Sequence, residues 1–340
     1  MKLPAIAALQ SSSFRAGDVV EVRPAEEILA MLDERGRLDG LPFMPEMLRF
    51  CGRRFRVQAR AHKACETVTS TGYQHLEETV HLDELRCDGS SHGGCQASCL
   101  LFWKDAWLKP ADEPTPAPHA TNGDQPTQVL SSAGPCSETT LLAATRGPET
   151  DAGTETFSCQ ATELKAYSHK LHWWDARQYV EDLESRNVRP RALLRGLVIL
   201  LFNKFQAANR QYLPQLKLIW GANRYPFLTG VLTGKTPEAR LDLQPGELVR
   251  IKSVEEIEKT LDVNNKNRGL FFEGKMSKHC GQVATVRARV DKIIHEESGE
   301  MIHFSNECII LEGVVCTGEY MQFCPRRIYP WWRENWLERV

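Results

Sequence analysis

Several protein classes are excluded by what the 340-residue sequence lacks. The longest strongly apolar run, residues 197–202, is far shorter than the roughly 18–20 residues that cross a bilayer, so we expect no membrane span. Charge of neither sign dominates, because 42 Lys and Arg oppose 44 Asp and Glu. Nucleic-acid binding needs a concentrated basic surplus, and a nucleic-acid partner is therefore not expected. Since no basic leader precedes the apolar N-terminal stretch, we expect no signal peptide and predict a cytoplasmic protein.

Common catalytic motifs are missing as well. The sequence contains no G-x-S-x-G, no H-E-x-x-H and no dinucleotide-binding fingerprint. Residues 230–236, GVLTGKT, have one residue too few between the glycines for a phosphate-binding loop, and we interpret them as a turn. The composition, 42% hydrophobic and 25% charged, is typical of a globular protein with two or more domains.

An internal repeat is the strongest signal that is present. The segment GDVVEVR at residues 17–23 recurs 229 residues later as GELVRIK at residues 246–252. The same register continues without a gap through the pairs Phe43/Phe272, Met47/Met276, Cys51/Cys280, Trp103/Trp332 and Trp107/Trp336. The chain is therefore predicted to contain two copies of one module, at residues 14–109 and 239–340.

Each copy opens with strand-like alternation, such as Val20 and Val22, followed by a short acidic helix. The opening Gly-Asp-x-Val-x-Val resembles the first strands of SH3-like barrels, and further short strands follow at intervals of about ten residues. We predict an α+β protein in which two small, mostly antiparallel SH3-like barrels flank a helical insert. The Trp pairs, spaced i and i+4, are expected on a terminal helix that covers each barrel.

The rest of the chain is predicted to have other roles. Residues 1–13 are an N-terminal tail, and residues 110–156 form a flexible linker because they are rich in Pro, Thr, Ala, Gly and Ser. Residues 157–238 contain a helical hairpin, with one helix at 173–186 capped by Asp175 and a second at 191–212 after Pro190. The leucine stripe of the second helix is expected to pack on one or both barrels.

Eleven cysteines suggest metal binding, because an odd count without a signal peptide indicates reduced thiols. Three pairs recur in the repeat: Cys51/Cys280, Cys87/Cys316 and Cys95/Cys324. A zinc site or an iron–sulfur cluster needs four ligands, so a local fourth is required. Candidates are Cys99 or His92 in the first copy, and Cys308 or His279 in the second, where Met321 and Ile328 replace the first copy's pair.

Other interpretations of the cysteines stay open. Cys136 and Cys159 lie outside the modules, and with Cys95 and Cys99 they would make a separate cofactor-binding cluster. Alternatively, three thiols per module only pack the core, since a buried free cysteine behaves as a small apolar residue. A redox role is a third interpretation, although Cys95 and Cys99 are separated by three residues rather than by the two of thioredoxin-like motifs.

The tail WRENWLERV at residues 332–340 and the segments CQATEL and WWD within residues 159–175 carry a resemblance. With the duplicated modules, they resemble a bacterial family of cysteine-rich repeat proteins that has no settled function. The association of that family with biosynthetic gene clusters implies a role in specialised metabolism or polysaccharide assembly. We therefore expect a zinc or iron–sulfur protein that serves a biosynthetic pathway and has a protein partner or a small-molecule substrate. The alternative is a non-catalytic binding scaffold.

Overall fold

The computed structural model describes residues 13–67, 72–112, 136–148, 155–212, 223–319 and 322–340. The chain divides into two compact units. The first unit comprises Met1–His92, Leu100–Asn187 and Glu296–Gly299, and the second comprises Gly93–Cys99, Val188–His295 and Glu300–Val340. Each unit combines helices with antiparallel sheets, which confirms the predicted α+β class. Across the described residues, no helix has the length and apolar character needed to span a membrane.

The first unit is organised around a five-stranded sheet. The strands of the whole unit are β1 (Val19–Val22), β2 (Arg37–Leu38), β3 (Leu41–Pro42), β4 (Arg54–Arg60), β5 (Lys63–Cys65), β6 (Tyr73–His75), β7 (Thr79–Arg86), β8 (Leu100–Lys104), β9 (Leu108–Pro110) and β10 (His169–Leu171). Its helices are α1 (Ala25–Met31), α2 (Glu138–Ala144) and α3 (Arg177–Glu184), with 3-10 helices at Pro45–Phe50, Asp105–Trp107 and Leu164–Ala166. The main sheet has the order β8-β7-β4-β1-β9, and a smaller sheet has the order β10-β6-β5.

The second unit is organised around a four-stranded sheet. It contains α4 (Pro190–Tyr212), β11 (Leu248–Ile251), α5 (Val254–Glu258), β12 (Lys266–Asn267), β13 (Leu270–Phe271), β14 (Val283–Arg289), β15 (Lys292–Ile294), β16 (Met301–His303), β17 (Ile309–Leu311) and β18 (Leu337–Arg339). Its 3-10 helices are Gly274–His279 and Glu334–Trp336. The sheet order is β17-β14-β11-β18, and β15 pairs with β16 as an antiparallel hairpin.

Local hydrogen bonds recur at the spacing of the sequence repeat. The Gly17 N–H donates to the Val57 carbonyl at 2.8 Å, and the Gly246 N–H donates to the Val286 carbonyl at the same distance. Both glycines have a positive φ, 95° and 93°, which residues other than glycine rarely adopt. Strands β4 and β14 also change register at matching positions, after Val57 and after Val286. The repeated sequence thus makes the same turn and the same bulge in each unit.

The recurring aromatic residues form the centre of each core. Phe43 meets Trp107 edge-on, with ring centroids 5.1 Å apart, and Phe272 meets Trp336 in the same way at 5.3 Å. All four side chains are buried. The Trp residues do not share a terminal helix as predicted: Trp103 lies in β8 and Trp107 ends a 3-10 helix. The extended backbone of β8 pairs with β7, and this pairing overrides the helical spacing.

An ion pair with a buried carboxylate also recurs in each unit. In the first, Arg60 donates two hydrogen bonds to Asp105, at 2.8 and 2.6 Å. In the second, Arg289 donates to Glu334 at 2.7 Å, and Glu334 also accepts the N–H groups of Leu241, Asp242 and Leu243. Burial alone would raise the pKa of Glu334, but these donors hold it below its ordinary value. The carboxylate therefore fixes the chain that enters the second unit's sheet.

Replacing Glu334 with glutamine is expected to make the stability of the chain less sensitive to acid. Because the folded-state pKa of Glu334 is lowered, its contribution is present above the unfolded-state pKa and is lost as pH falls through the folded-state pKa. Urea unfolding should show a deficit of about 1–3 kcal/mol at pH 7, which shrinks as the pH is lowered below about 4. Glu312→Gln, at an exposed pair with Arg287, is the control. An equal deficit for Glu334→Gln at every pH would contradict this role.

Part of the predicted linker is ordered in the structure. Residues 113–135 and 149–154 of that segment lie outside the described residues, but α2 forms within it. Ser137 caps α2 by accepting the Thr140 N–H, and Cys136 and Leu141 are buried in the core of the first unit. Two apolar anchors and one cap stabilise this short helix, and the Pro-rich composition of the flanking chain obscured them in the sequence.

The helical segment also differs from its prediction in detail. Helix α3 is shorter than the expected 173–186, and its N-cap is Ala176 rather than the predicted Asp175. The Asp175 side chain still accepts the Arg177 N–H at the helix start. Helix α4 begins at Pro190 and ends at Tyr212, close to the expected bounds. The leucine stripe was expected to pack, yet Leu194 and Leu201 are exposed.

Candidate metal centre

A short loop after β7 brings two of the predicted ligands together. Cys87 directly follows the end of β7, and His92 closes a turn in which its N–H donates to the Gly89 carbonyl at 3.1 Å. Gly89 has φ of 73°, a conformation that favours glycine. Asp88 stabilises the turn by accepting the Ser90 N–H at 3.0 Å. The C-x4-H spacing thus folds back on itself through local hydrogen bonds.

A third candidate ligand comes from a distant part of the sequence. Glu46 lies on the 3-10 helix Pro45–Phe50, and its Oε2 accepts a hydrogen bond from Ser91 Oγ at 2.7 Å. The Ser91 carbonyl accepts a second hydrogen bond, from Thr145 Oγ1 at 2.8 Å. The Cys87–His92 loop is therefore tied on one side to the helix that carries Glu46 and on the other to the residue that ends α2.

The three side chains form a compact group. The Sγ of Cys87 lies 3.2 Å from Nε2 of His92, and Nδ1 of His92 lies 3.9 Å from Oε1 of Glu46. One ligand atom from each residue lies within 4.8 Å of the others, and no other group of three or more Cys, His, Asp or Glu side chains meets this criterion among the described residues. His92 and Glu46 are buried, and Cys87 is half-buried.

The group carries unsatisfied polar atoms. Within the described part of the chain, neither Glu46 Oε1 nor His92 Nδ1 has a hydrogen-bond partner. Buried polar atoms of this kind cost free energy unless a partner is supplied. Burial also lowers the pKa of His92, against the opposing charges of Glu46 and Asp88, so the imidazole is neutral at pH 7. A neutral imidazole beside a thiol and a carboxylate has lone pairs available for a cation.

The donor set favours zinc over the other predicted cofactor. Zinc accepts thiolate, imidazole and carboxylate ligands, and three protein ligands leave a fourth position open. Iron–sulfur clusters are held mostly by cysteine thiolates, and a mixed sulfur, nitrogen and oxygen group does not match that preference. The arrangement of Glu46, His92 and Cys87 would also let His92 act as a base that accepts the proton of the Cys87 thiol.

Three of the predicted metal-ligating thiols pack as apolar side chains. Burial raises the pKa of Cys51 to about 12, that of Cys280 to about 12 and that of Cys308 to about 11. Cys51 and Cys280 lie against the cores of their units and occupy the same position, at the end of the 3-10 helices Pro45–Phe50 and Gly274–His279. Their recurrence in the repeat is explained by this shared packing.

The remaining second-unit thiols have other surroundings. Cys316, which matches Cys87 in the repeat, is buried and accepts the Gly318 N–H at 3.4 Å, and Cys324 is also buried. Cys95 is assigned to the second unit, where its Sγ accepts the Ile294 N–H at 3.4 Å, and Cys99 is half-buried in the same unit. None of these thiols belongs to a group of three ligands among the residues that the structure describes.

The thiols from the connecting region contribute to the first unit. Cys136 is fully buried in its core, and Cys159 is half-buried against the same core. The shared sequence C-Q-A-S/T at residues 95–98 and 159–162 has a structural explanation in its glutamine. Gln160 Oε1 accepts the Phe102 N–H at 2.8 Å, and Gln96 Oε1 accepts the Lys292 N–H at 3.1 Å. In each case the glutamine pairs with strand backbone, so the motif fixes a strand.

The second copy of the repeat does not retain the group. At the register of Glu46 it has Lys275, and at the register of His92 it has Met321, which lies outside the described residues. Only the cysteine is kept, as Cys316. The second unit therefore has the thiol without the other two donors, and it serves as an internal control for the first unit.

Sequence reasoning identified Cys87 and His92 as candidates and missed Glu46. Two features of the sequence around Glu46 distinguish this residue. It is an acidic residue inside the apolar segment FMPEMLRF, and the repeat has a residue of opposite charge at this position, between the retained pairs Phe43/Phe272 and Met47/Met276. A buried carboxylate at such a position requires a partner.

Comparison of the chain with protein-family models, curated proteins and solved structures finds no match.

Proposed function

We propose that the chain is a zinc-binding protein whose metal centre is formed by Cys87, His92 and Glu46 of the first unit. The observation that carries the proposal is the 3.2 Å separation between Cys87 Sγ and His92 Nε2, with Glu46 at the other ring nitrogen. Two ligands of one tetrahedral zinc ion, at 2.3 Å and 2.0–2.1 Å, lie about 3.5 Å apart. The pair is therefore close to the spacing that a shared ion requires.

Glu46 has one of two places in this centre. It either ligates zinc directly or orients His92 through Nδ1, as carboxylates near metal-bound imidazoles do. Direct ligation would give Glu46 Oε1 a partner, whereas the orienting arrangement would pair Glu46 Oε1 with His92 Nδ1, so that both orphaned buried atoms gain one. At most three protein ligands come from the group, so a position is open to a substrate or to a fourth ligand. An open position supports a role that includes binding a small molecule or a protein partner at the ion; the biosynthetic pathway in which we place that role comes from the resemblance to the repeat family alone.

The proposal extends to the architecture that presents the centre. The recurring turns, bulges, aromatic contacts and ion pairs support two duplicated SH3-like barrels, of which the first has the metal centre and the second does not. Divergence after duplication would then have replaced Glu46 and His92 in one copy while the packing thiols stayed.

Elemental analysis of protein purified without oxygen tests the proposal. We expect about one zinc ion per chain. Cys87→Ala should lose the ion, and Cys316→Ala, the matched change in the second copy, should retain it. Circular dichroism of each variant shows whether the fold persists. Folded wild-type protein that contains no metal and binds none on titration would contradict the proposal and favour the non-catalytic scaffold, in which the thiols only pack.

A further inference from the structure

Helix α4 exposes four large apolar side chains and buries two polar ones. Over its 23 residues, the exposed fractions are 67% for Leu194, 59% for Val198, 58% for Leu201 and 47% for Phe205. In contrast, Gln206 is fully buried and Asn209 is 97% buried, at a relative exposure of 3%. A helix at the surface of a globular unit normally has the opposite arrangement. We call these four exposed residues the α4 seam.

The orientation of α4 is fixed by specific contacts within the second unit. Asn203 accepts the Tyr225 N–H at 2.7 Å and donates to the Tyr225 carbonyl at 2.9 Å. Gln206 donates to the Asn223 carbonyl at 2.9 Å. Gly196 lies so close to the Phe323 ring that a Cβ would have no room. Polar bonds and one close approach thus hold the helix with the residues of the α4 seam outward.

The spacing of the seam matches a helix–helix interface. Its residues follow one another at intervals of four, three and four, which is the alternation of the a and d positions in a coiled coil. Tyr212, 73% exposed, continues the register at the end of the helix. A stripe of this width is narrower than the broad apolar face of a core-facing helix. The seam therefore fits one partner helix, packed knobs-into-holes.

The charges beside the seam indicate which kind of helix it fits. Four cations on α4 are exposed: Arg191, Arg195, Lys204 and Arg210. In the register of the seam, Arg195 and Lys204 lie at e and g, on its two edges, and the Arg195 guanidinium also lies 3.5 Å from the Glu319 carboxylate. Residues 190–212 contain no Asp or Glu. Charged residues that flank a seam set partner choice. If α4 of a second copy packed on the seam, every charged side chain on both helices would be positive, so like charges would oppose self-pairing.

We propose that the α4 seam docks an amphipathic helix of a partner protein, one with an apolar heptad stripe flanked by Asp and Glu. The apolar stripe of the partner covers Leu194, Val198, Leu201 and Phe205, and its carboxylates face Arg195 and Lys204 at the edges of the seam. The inference does not depend on the zinc centre, since α4 and all its contacts given above belong to the second unit.

A synthetic probe tests the docking surface on the full-length chain. The probe is a labelled peptide of about four heptads, with Leu at a and d and Glu at e and g, and the comparison peptide has Lys at e and g. Fluorescence anisotropy should show at least tenfold tighter binding of the Glu peptide. Val198→Asp/Leu201→Asp should weaken that binding by at least tenfold, whereas Val263→Asp, a change at another exposed valine of the same unit, should not.

Charge reversal separates helix docking from general stickiness. Arg195→Glu/Lys204→Glu should reverse the preference, so that the Lys peptide binds more tightly than the Glu peptide. Glu-peptide binding that is unaffected by Val198→Asp/Leu201→Asp would overturn the proposal. So would flotation with phosphatidylglycerol vesicles, or dimerisation in sedimentation, if either depends on the seam while the peptide does not bind. Zinc content should be unchanged in every seam variant, so the failure of one proposal leaves the other standing.

Discussion

Replacing Asp182 with alanine is expected to lower the free energy of unfolding by about 3–5 kcal/mol, the largest loss we expect from one surface-distant side chain. Asp182 Oδ2 accepts a hydrogen bond from Lys63 Nζ at 2.5 Å, and its Oδ1 lies 3.4 Å from Nε2 of His62. All three side chains are fully buried. Removing the carboxylate leaves the Lys63 ammonium in the core without the charge that compensates it, and α3 loses its polar anchor to β5.

The expected loss measures the cost of leaving the buried Lys63 charge uncompensated, not the net stabilisation that the intact ion pair provides. A double variant, Lys63→Met/Asp182→Leu, removes both charges and keeps apolar volume, and it should recover most of the stability lost in Asp182→Ala. Urea unfolding at pH 7 measures both variants. A double variant as unstable as Asp182→Ala would show that the side chains contribute by packing alone. The exposed pair of Arg250 and Glu338 is the control, where Glu338→Ala should change stability by less than about 1 kcal/mol.

The sequence predicted those parts of the fold that depend on local pattern. Alternation at Val20 and Val22 predicted β1, and the repeat register predicted that the same strand recurs as β11. Pro190 marked the start of α4. These signals lie within a few residues of the element that they specify, because strand and helix periodicity is a property of consecutive side chains.

Features that depend on distant contacts were not predicted. Lys63 and Asp182 are 119 residues apart, and nothing near either residue marks it as buried. The leucines of α4 predicted an inward-facing stripe, but the buried face is set by Asn203, Gln206 and their partners on another segment. Helix α2 was hidden by the proline-rich composition around it. In each case a tertiary contact decided the outcome against the local pattern.

The residues of the candidate site likewise include two that the local sequence predicted and one that only a distant contact brings into place. Cys87 and His92 lie in one loop, and their short spacing allowed the sequence to pair them. Glu46 is brought to them by the packing of its 3-10 helix through Ser91, which no spacing rule describes. Counting thiols favoured a site made of cysteines, whereas the structure assembles a thiol, an imidazole and a carboxylate. The recurrence of Cys51 and Cys280 also has a packing explanation, since both lie at the ends of matching 3-10 helices.

Substitutions at Glu46 should change zinc affinity by the largest factors that we expect at this site. Glu46→Lys introduces the residue that the second copy has at this register, and its ammonium would lie beside His92 and repel the cation. We expect this variant to bind no zinc at micromolar concentrations. Glu46→Gln keeps the shape of the side chain and removes only its charge, and it should weaken zinc binding by about 10–100-fold, as the loss of a carboxylate partner of a metal-bound histidine does.

Competition with a chromophoric chelator measures both affinities at fixed pH, and the matched control is Lys275→Gln in the second copy, which should leave zinc affinity unchanged. Because Glu46→Lys also buries a charge, its fold is checked by circular dichroism, and Glu46→Gln decides the question if the lysine variant is unfolded. Substitution with Co²⁺ adds a readout of ligation: the thiolate absorption band of Cys87 should persist in Glu46→Gln, since the sulfur still binds, and should be absent from Cys87→Ala. Wild-type zinc affinity in a folded Glu46→Gln protein would exclude Glu46 from the centre and leave Cys87 and His92 two ligands short of a closed zinc site.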